Sequence, residues 1–256
     1  MTGRVVFIGA GPGAADLITL RGAARLGEAD VVLFDALTDP ALRKLAPGAR
    51  WVNVGKRGFC DSTAQTTINA LLVKHARAVD VVVRLKGGDP SVFGRLEEEL
   101  DALARAGIAC EVVPGVTAAL AAAADTQRPL TRRGTHGPAG RSVSLTTAVN
   151  RAGALQASRT AATEVFYMAG KQLGGLSRRL REAGWPDTTP VSVVSGAGCA
   201  DMRHSDHCVP TLAQASLLHA GRPTVVTVGV GASALASGTL AIVLDNHQAR
   251  VENLRP

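Results

Sequence analysis

Short β-branched runs alternate along this chain with stretches of helical period, and that alternation limits the possible folds more than any other feature. In the first half the runs are "VVFI" (5–8), "VVLF" (31–34), "WVNV" (51–54), "VVVRL" (81–85) and "EVV" (111–113). Between them, Asp16 can cap a helix carrying Leu17, Leu20 and Ala24 on one face, with Gly27 near its end. "TTINALLVKHARA" and "RLEEELDALARAG" carry the same period, the second closed by Gly107. Continuous apolar strands separated by helices imply a mostly parallel sheet covered on both faces.

From about Arg128 the texture changes. "RPLTRRGTHGPAGR" has no periodicity and is rich in Gly, Pro and Arg, as a loop or domain junction is. A second series follows: "SVSLTT", "TEVFYM", the helical "KQLGGLSRRLREAG", "PVSVVS", "TLAQASLLHAG" and "PTVVTVGVG". A chain of 256 residues has room for two domains. The expected organisation is therefore two α/β domains with mostly parallel sheets, residues 1–118 and 128–245, followed by a tail at 246–256. The cleft between them, near 116–130, is the expected site.

The formal charge of +7 points to a polyanionic partner, either a macromolecule or a small molecule with many carboxylates or phosphates. The basic residues are scattered, with no run longer than Arg132-Arg133 or Arg178-Arg179, and aromatics are only 3%. Both features argue against a nucleic-acid platform. Cys60, Cys110, Cys199 and Cys208 form no CxxC pair, so a reduced, cytoplasmic protein is expected. No apolar run reaches the ~18 residues a membrane helix needs. The first residues lead straight into a strand, with no secretory leader.

"VVFIGAGPGAADLITL" mimics the opening of a dinucleotide-binding unit, but the G-x-G-x-x-G order is broken. Pro12 removes a backbone donor where the loop should wrap a pyrophosphate, and the third Gly is misplaced. Asp35, about twenty residues on, would then be the ribose-binding acid of an NAD-dependent oxidoreductase.

Several motifs taken in order carry a different reading. "VVFIGAGPGAADLITLRG", "VVLFDALTD", "VGKRG", "VVRLKGGDPSVFGR", "VVPGVTAALAAAA", "PLTRRG" and "VFYMAG" resemble the tetrapyrrole methylase family from Val5 to about Gly231. The resemblance implies two α/β domains with S-adenosylmethionine held between them, a homodimer, and S-adenosylhomocysteine as product. The implied reaction is C-methylation of uroporphyrinogen III at two ring positions, giving precorrin-2 for sirohaem or cobalamin. A sister methylase acting on a later precorrin is the runner-up.

By the same resemblance, the cofactor contacts fall on Pro12, Gly87, Gly88, Asp89, Val92, Thr117, Ala118, Met168, Ala197 and Thr224. Acid/base roles fall on Asp35 and Lys56. Asp35 ends an apolar strand at the sheet edge where α/β sites gather, and a carboxylate there can accept the proton a methylated ring must lose. Arg57, Arg84 and Arg132 are the candidates for substrate carboxylates, which Arg grips bidentately; Arg95 and Arg133 lie beside them. The chain departs from the family pattern at Asp61 (usually His), at Leu96 and Glu97 (usually Gly), and at Arg132 (usually His). These departures fall on the substrate side. One rival constellation, Cys199, His204, His207 and Cys208, offers soft ligands close together, but its spacing matches no zinc module and methyl transfer needs no metal.

Overall fold

The computed structural model describes residues 3–55, 64–134, 140–150 and 152–235. The chain divides between Thr117 and Ala118 into two compact units. The first carries β1 (Arg4–Gly9), α1 (Leu20–Gly27), β2 (Val31–Phe34), β3 (Arg50–Asn53), α2 (Gln65–Ala76), β4 (Val81–Lys86), α3 (Leu96–Arg105) and β5 (Cys110–Val113). Its five strands form a wholly parallel sheet in the order β3-β2-β4-β1-β5.

The inner strands β1, β2 and β4 are apolar at consecutive positions because both their faces are covered, while the edge strands β3 and β5 are only partly buried. On one face Val6, Ile8, Val32 and Leu85 pack against Leu26 of α1 and Leu42 of a 3-10 turn. On the other, Val5, Phe7, Leu33 and Val82 pack against Ile68 and Leu72 of α2 and Leu103 of α3. Truncating any of the fully buried leucines 26, 42, 72 or 103 to Ala is expected to cost about 2–5 kcal/mol. The first helix begins later than the sequence suggests. Asp16 lies in a 3-10 turn, and Thr19 caps α1 by accepting from the Gly22 N–H at 3.0 Å.

The second unit carries α4 (Ala118–Asp125), β6 (Val143–Thr147), β7 (Thr163–Tyr167), α5 (Leu173–Glu182), β8 (Pro190–Ser195), β9 (Arg203–Cys208), a four-residue α6 (Ser216–His219) and β10 (Thr224–Gly229). Its sheet runs β6-β7-β10-β8-β9. Here the mostly parallel expectation needs correction. Only β6 and β7 pair in parallel; β7–β10, β10–β8 and β8–β9 are antiparallel. For β8 and β9 the physical reason is loop length: the turn from Ser195 to Arg203 is too short for the crossover of about a dozen residues that parallel strands require. Leu173, Leu176 and Leu180 of α5 cover one face, packing on Phe166, Val191, Val193, Val226 and Val228. The stretch 211–221, helical in pattern, is mostly a 3-10 turn that only its last residues extend into α6.

Candidate functional site

In the first unit β4, β1 and β5 end side by side, and a glycine stands at each exit. A Cβ on Gly9 would lie 2.5 Å from Gly115 Cα, and one on Gly115 would lie 2.4 Å from the Gly88 carbonyl oxygen. No side chain fits there, so the three loops interlock through bare backbone. Gly11 and Gly88, at φ of +80° and +70°, pair as an isolated bridge. The Gly88 N–H donates to the Gly11 carbonyl at 2.7 Å and the reverse bond is 3.3 Å.

This bridge decides what the Gly-rich turn can hold. The Ala10 N–H donates to the Lys86 carbonyl at 2.8 Å and the Gly11 N–H to that of Gly88. Pro12 has no N–H, and the Ala15 N–H donates to Asp39 Oδ2 at 3.0 Å. Two of the donors a pyrophosphate would use are thus spent on the β4 loop and a third on Asp39, and α1 starts too late to offer its N-terminus. By contrast, a Cβ added at Gly88 would meet only Thr117 Cα, at 4.0 Å. The loop thus leaves open space lined by glycine backbone, which suits a bulky neutral or cationic group.

Asp89 shapes that loop. Its Oδ1 accepts from the Ser91 N–H at 2.7 Å and its Oδ2 from the Gly115 N–H at 2.9 Å, which ties the β4 exit to the β5 exit. Val92 follows, and Phe93 and Arg95 adopt the left-handed conformation, at φ of 54° and 53°. Arg95 pairs with Glu98 through two hydrogen bonds, of 2.7 and 2.8 Å.

Asp35 directly follows β2. Its N–H donates to the Leu85 carbonyl, and Gly55 passes so close that a Cβ there would overlap the Asp35 and Ala36 backbone. Leu37, two residues on, lies beside Gly87. Asp35 Oδ1 accepts from Arg84 Nη2 at 2.7 Å. Arg84 is only 3% exposed, and its other donors go to Glu99 (Nε, 3.1 Å) and to the Leu33 and Leu85 carbonyls. This corrects its expected role: a guanidinium engaged on all sides inside the protein holds Asp35 in place and is not presented to a substrate carboxylate. Burial opposes its charge, but Asp35 and Glu99 outweigh burial and hold the group above its ordinary value. Lys86 donates to Glu99 Oε2 at 2.8 Å; burial and then repulsion from Arg84 push its ammonium below its ordinary value, against the pull of Glu99.

In the second unit the remaining candidates gather at one end of the sheet. Met168 stands just past β7, whose ladder with β10 ends at Phe166–Val226; Thr224, two residues before Val226, pairs with Ser195 of β8 and lies against Gly170. Met168 has φ +58° and is 56% exposed, a strained backbone presenting a large apolar side chain. Ala197 is buried between Gly196 and Gly198, both at positive φ. α4, which opens with Ala118, is tied to the same end: the Ala119 N–H donates to Tyr167 Oη at 3.3 Å, and Asp125 Oδ2 accepts from the Gly198 N–H at 2.7 Å.

Arg132 exchanges backbone hydrogen bonds with Gly140 and donates through Nη2 to the Ser233 carbonyl. Its Nε is a buried donor with no partner among the described residues. Lys56, Arg57 and Asp61 lie outside the described residues.

Of the Cys/His constellation, His204, His207 and Cys208 lie on strand β9, while Cys199 stands in the turn before it, its N–H donating to the Gly196 carbonyl at 3.0 Å. His204 bonds Ser192 at 3.1 Å, His207 bonds Ser205 at 2.8 Å, and Cys208 contacts Thr211. Among the described residues no group of three or more His, Cys, Asp or Glu is placed to hold a metal ion.

Sequence reading missed Glu99, Lys86, Gly115 and Asp125. One signal was present. Arg84 and Lys86 sit two apart in an apolar strand and hence on one face, so two buried cations there demand buried acid.

Comparison with known proteins agrees with this geometry. A family model described as Tetrapyrrole (Corrin/Porphyrin) Methylases matches residues 4–213, and the chain belongs to that family. It is 40% identical over 238 residues to the uroporphyrinogen-III C-methyltransferase of Pseudomonas aeruginosa, covering 90% of this chain and 94% of that one. It is 39% identical to a sirohaem synthase of Xylella fastidiosa, of which it spans only 50%. A crystal structure of a Thermus thermophilus uroporphyrin-III C-methyltransferase, complexed with S-adenosylhomocysteine, superposes with a TM-score of 0.76 at 36% identity, over 89% of this chain and 97% of that one.

Proposed function

We propose that this chain transfers methyl groups from S-adenosylmethionine to two ring carbons of uroporphyrinogen III, giving precorrin-2. The observation that carries the reading is the interlocked glycine exits of β1, β4 and β5, which leave a backbone cradle poor in free N–H donors beside an Asp35 carboxylate held by Arg84. The likeness to the Pseudomonas methyltransferase over nearly its whole length supports the same conclusion.

Pro12, Gly87, Gly88, Asp89, Val92 and Thr117 of the first unit, with Ala118, Met168, Ala197 and Thr224 of the second, are the residues proposed to hold the cofactor. When bound, S-adenosylmethionine supplies an electrophilic methyl group on a cationic sulfur. Asp89 fixes the shape of the cradle, so that positioning, worth several powers of ten in rate when the geometry is right, is built in before binding. With Oδ1 engaged by Arg84, Asp35 takes on Oδ2 the proton that the methylated ring carbon must lose. Lys56 assists as the second acid/base group. Arg57 and Arg132 receive substrate carboxylates, which a guanidinium binds bidentately. The net charge of +7 favours the approach of such a polyanion.

No helix among the described residues is long and apolar enough to cross a membrane. The sequence has no Cys pairing motif, which fits a reduced cytoplasmic protein; the homodimer is proposed from the family resemblance alone. The experiment that tests substrate choice presents uroporphyrinogen III and later precorrins in parallel and follows methylation of each by mass spectrometry. Methylation of uroporphyrinogen III is expected; methylation of a later precorrin alone assigns the chain to a sister reaction.

A further inference from the structure

Between β4 and α3 lies a line of buried charge that the proposed reaction does not by itself require. Lys86, Glu99, Arg84 and Asp35 follow one another with alternating sign, linked at 2.8, 3.1 and 2.7 Å. Glu99 is fully buried and Arg84 is 3% exposed, so only the Asp35 end reaches the surface of the unit. Helix geometry explains why Glu99 alone, among the three consecutive glutamates that open α3, turns inward. It stands four residues before buried Leu103 and shares its face. There it receives Lys86 on Oε2 and both Arg84 Nε and Gln65 Nε2 on Oε1.

Buried ion pairs are a poor way to stabilise a core, because desolvation consumes most of what their attraction supplies. Well-packed apolar side chains would hold α3 on β4 as firmly. What the charges add is direction. A guanidinium clamped by Glu99 along its Nε edge can point Nη2 one way only, at Asp35. At the other end, Lys86 leads straight into Gly87 and Gly88 and accepts the Ala10 N–H on its carbonyl.

We infer that Glu99 is a positioning residue for the methyl transfer, acting through Arg84 to fix the Asp35 carboxylate. This rests on Asp35 being the base. Glu99 touches no reacting atom, so its loss should lower turnover and leave binding intact. Glu99→Gln keeps the size of the side chain but removes the charge that clamps Arg84. A misplacement of the base by about 1 Å costs up to ~100-fold in rate.

The test compares Glu99→Gln, Asp35→Asn and the double variant, each as the full chain. It measures kcat and KM with uroporphyrinogen III, S-adenosylhomocysteine affinity by calorimetry, and thermal unfolding. Glu99→Gln should lose about 10- to 100-fold in kcat, with KM and cofactor affinity nearly unchanged. The double variant should be no slower than Asp35→Asn alone, since a residue acting only through Asp35 has nothing left to position. If Glu99→Gln does not fold, Glu99→Gln with Lys86→Met removes opposite charges together, and the same comparison with and without Asp35→Asn is made in that background. A normal kcat in Glu99→Gln beside a defective Asp35→Asn overturns this inference alone. So does a loss that multiplies with that of Asp35→Asn, or one confined to KM. Full activity in Asp35→Asn overturns the base assignment and this inference with it.

Discussion

Adding one methyl group at Gly115 should damage both stability and cofactor binding, and the size of the effect follows from the geometry. Gly115 is not in the left-handed region, so Ala there meets no backbone strain of its own; the cost is purely steric. Its Cβ would sit 2.4 Å from the Gly88 oxygen and 2.7 Å from Gly9 Cα, both main-chain atoms with no rotamer to escape into. Overpacking of this kind costs roughly 1–3 kcal/mol. Pushing the β4 exit away would also stretch the Gly88–Gly11 bridge and the Asp89–Gly115 bond, at roughly 1 kcal/mol for a hydrogen bond lost. Urea denaturation should therefore show Gly115→Ala about 2–4 kcal/mol less stable than the parent, and calorimetry should show weakened S-adenosylhomocysteine binding. Gly48→Ala is the matched control. A Cβ there meets nothing within 4 Å, so its stability should match or slightly exceed that of the parent. A Gly115→Ala protein as stable as the control and binding cofactor normally would refute the interlocked-loop account.

Three further outcomes are expected. Asp35→Asn should lose ~10²–10⁴ in turnover with cofactor affinity nearly unchanged, and full turnover would remove it as the base. The chain should bind S-adenosylhomocysteine far more tightly than NAD in calorimetry, because the Ala10 and Gly11 donors are already spent on the β4 loop; the reverse order would restore the dinucleotide reading. His219, fully buried between Ser195 and Ser205, is held down to about 4 by burial and then by His207, His204, Arg222 and Arg203. The unfolded chain, with an ordinary His near 6.5, binds the extra proton between those values, so stability is full above about pH 6.5 and falls as the pH drops toward 4, by on the order of 3 kcal/mol. Urea midpoints at pH 7 and pH 5 check this, and His219→Gln should reduce the difference.

Much of the first unit was legible because its inner strands β1, β2 and β4 are buried on both faces and read as nearly unbroken apolar runs. The start of α1 was not: Asp16 and Thr19 are both good caps, and only the extra turn that Asp39 pins through the Ala15 N–H decides between them. β9, "RHSDHC", hides as a strand because it lies at a sheet edge with no fully buried position, so its histidines read as ligands before they read as pleat. α4 is nearly all alanine and carries no apolar stripe to betray a helix. At the site, motif glycines could be found by type and spacing, but the Asp35–Arg84 contact spans 49 residues and exists only through the β2–β4 register. Glu99 was hidden among three adjacent glutamates, and only the packing of Leu103 selects it.

Methyl transfer to a reduced tetrapyrrole can be followed by counting methyl groups. The chain is incubated with methyl-labelled S-adenosylmethionine and freshly prepared uroporphyrinogen III without oxygen. Mass spectrometry and carbon NMR of the macrocycle then follow the label, alongside the S-adenosylhomocysteine formed. The account predicts two labelled methyl groups on ring carbons per macrocycle, matched by two equivalents of S-adenosylhomocysteine. A macrocycle recovered without label, while the protein binds S-adenosylhomocysteine, would contradict it.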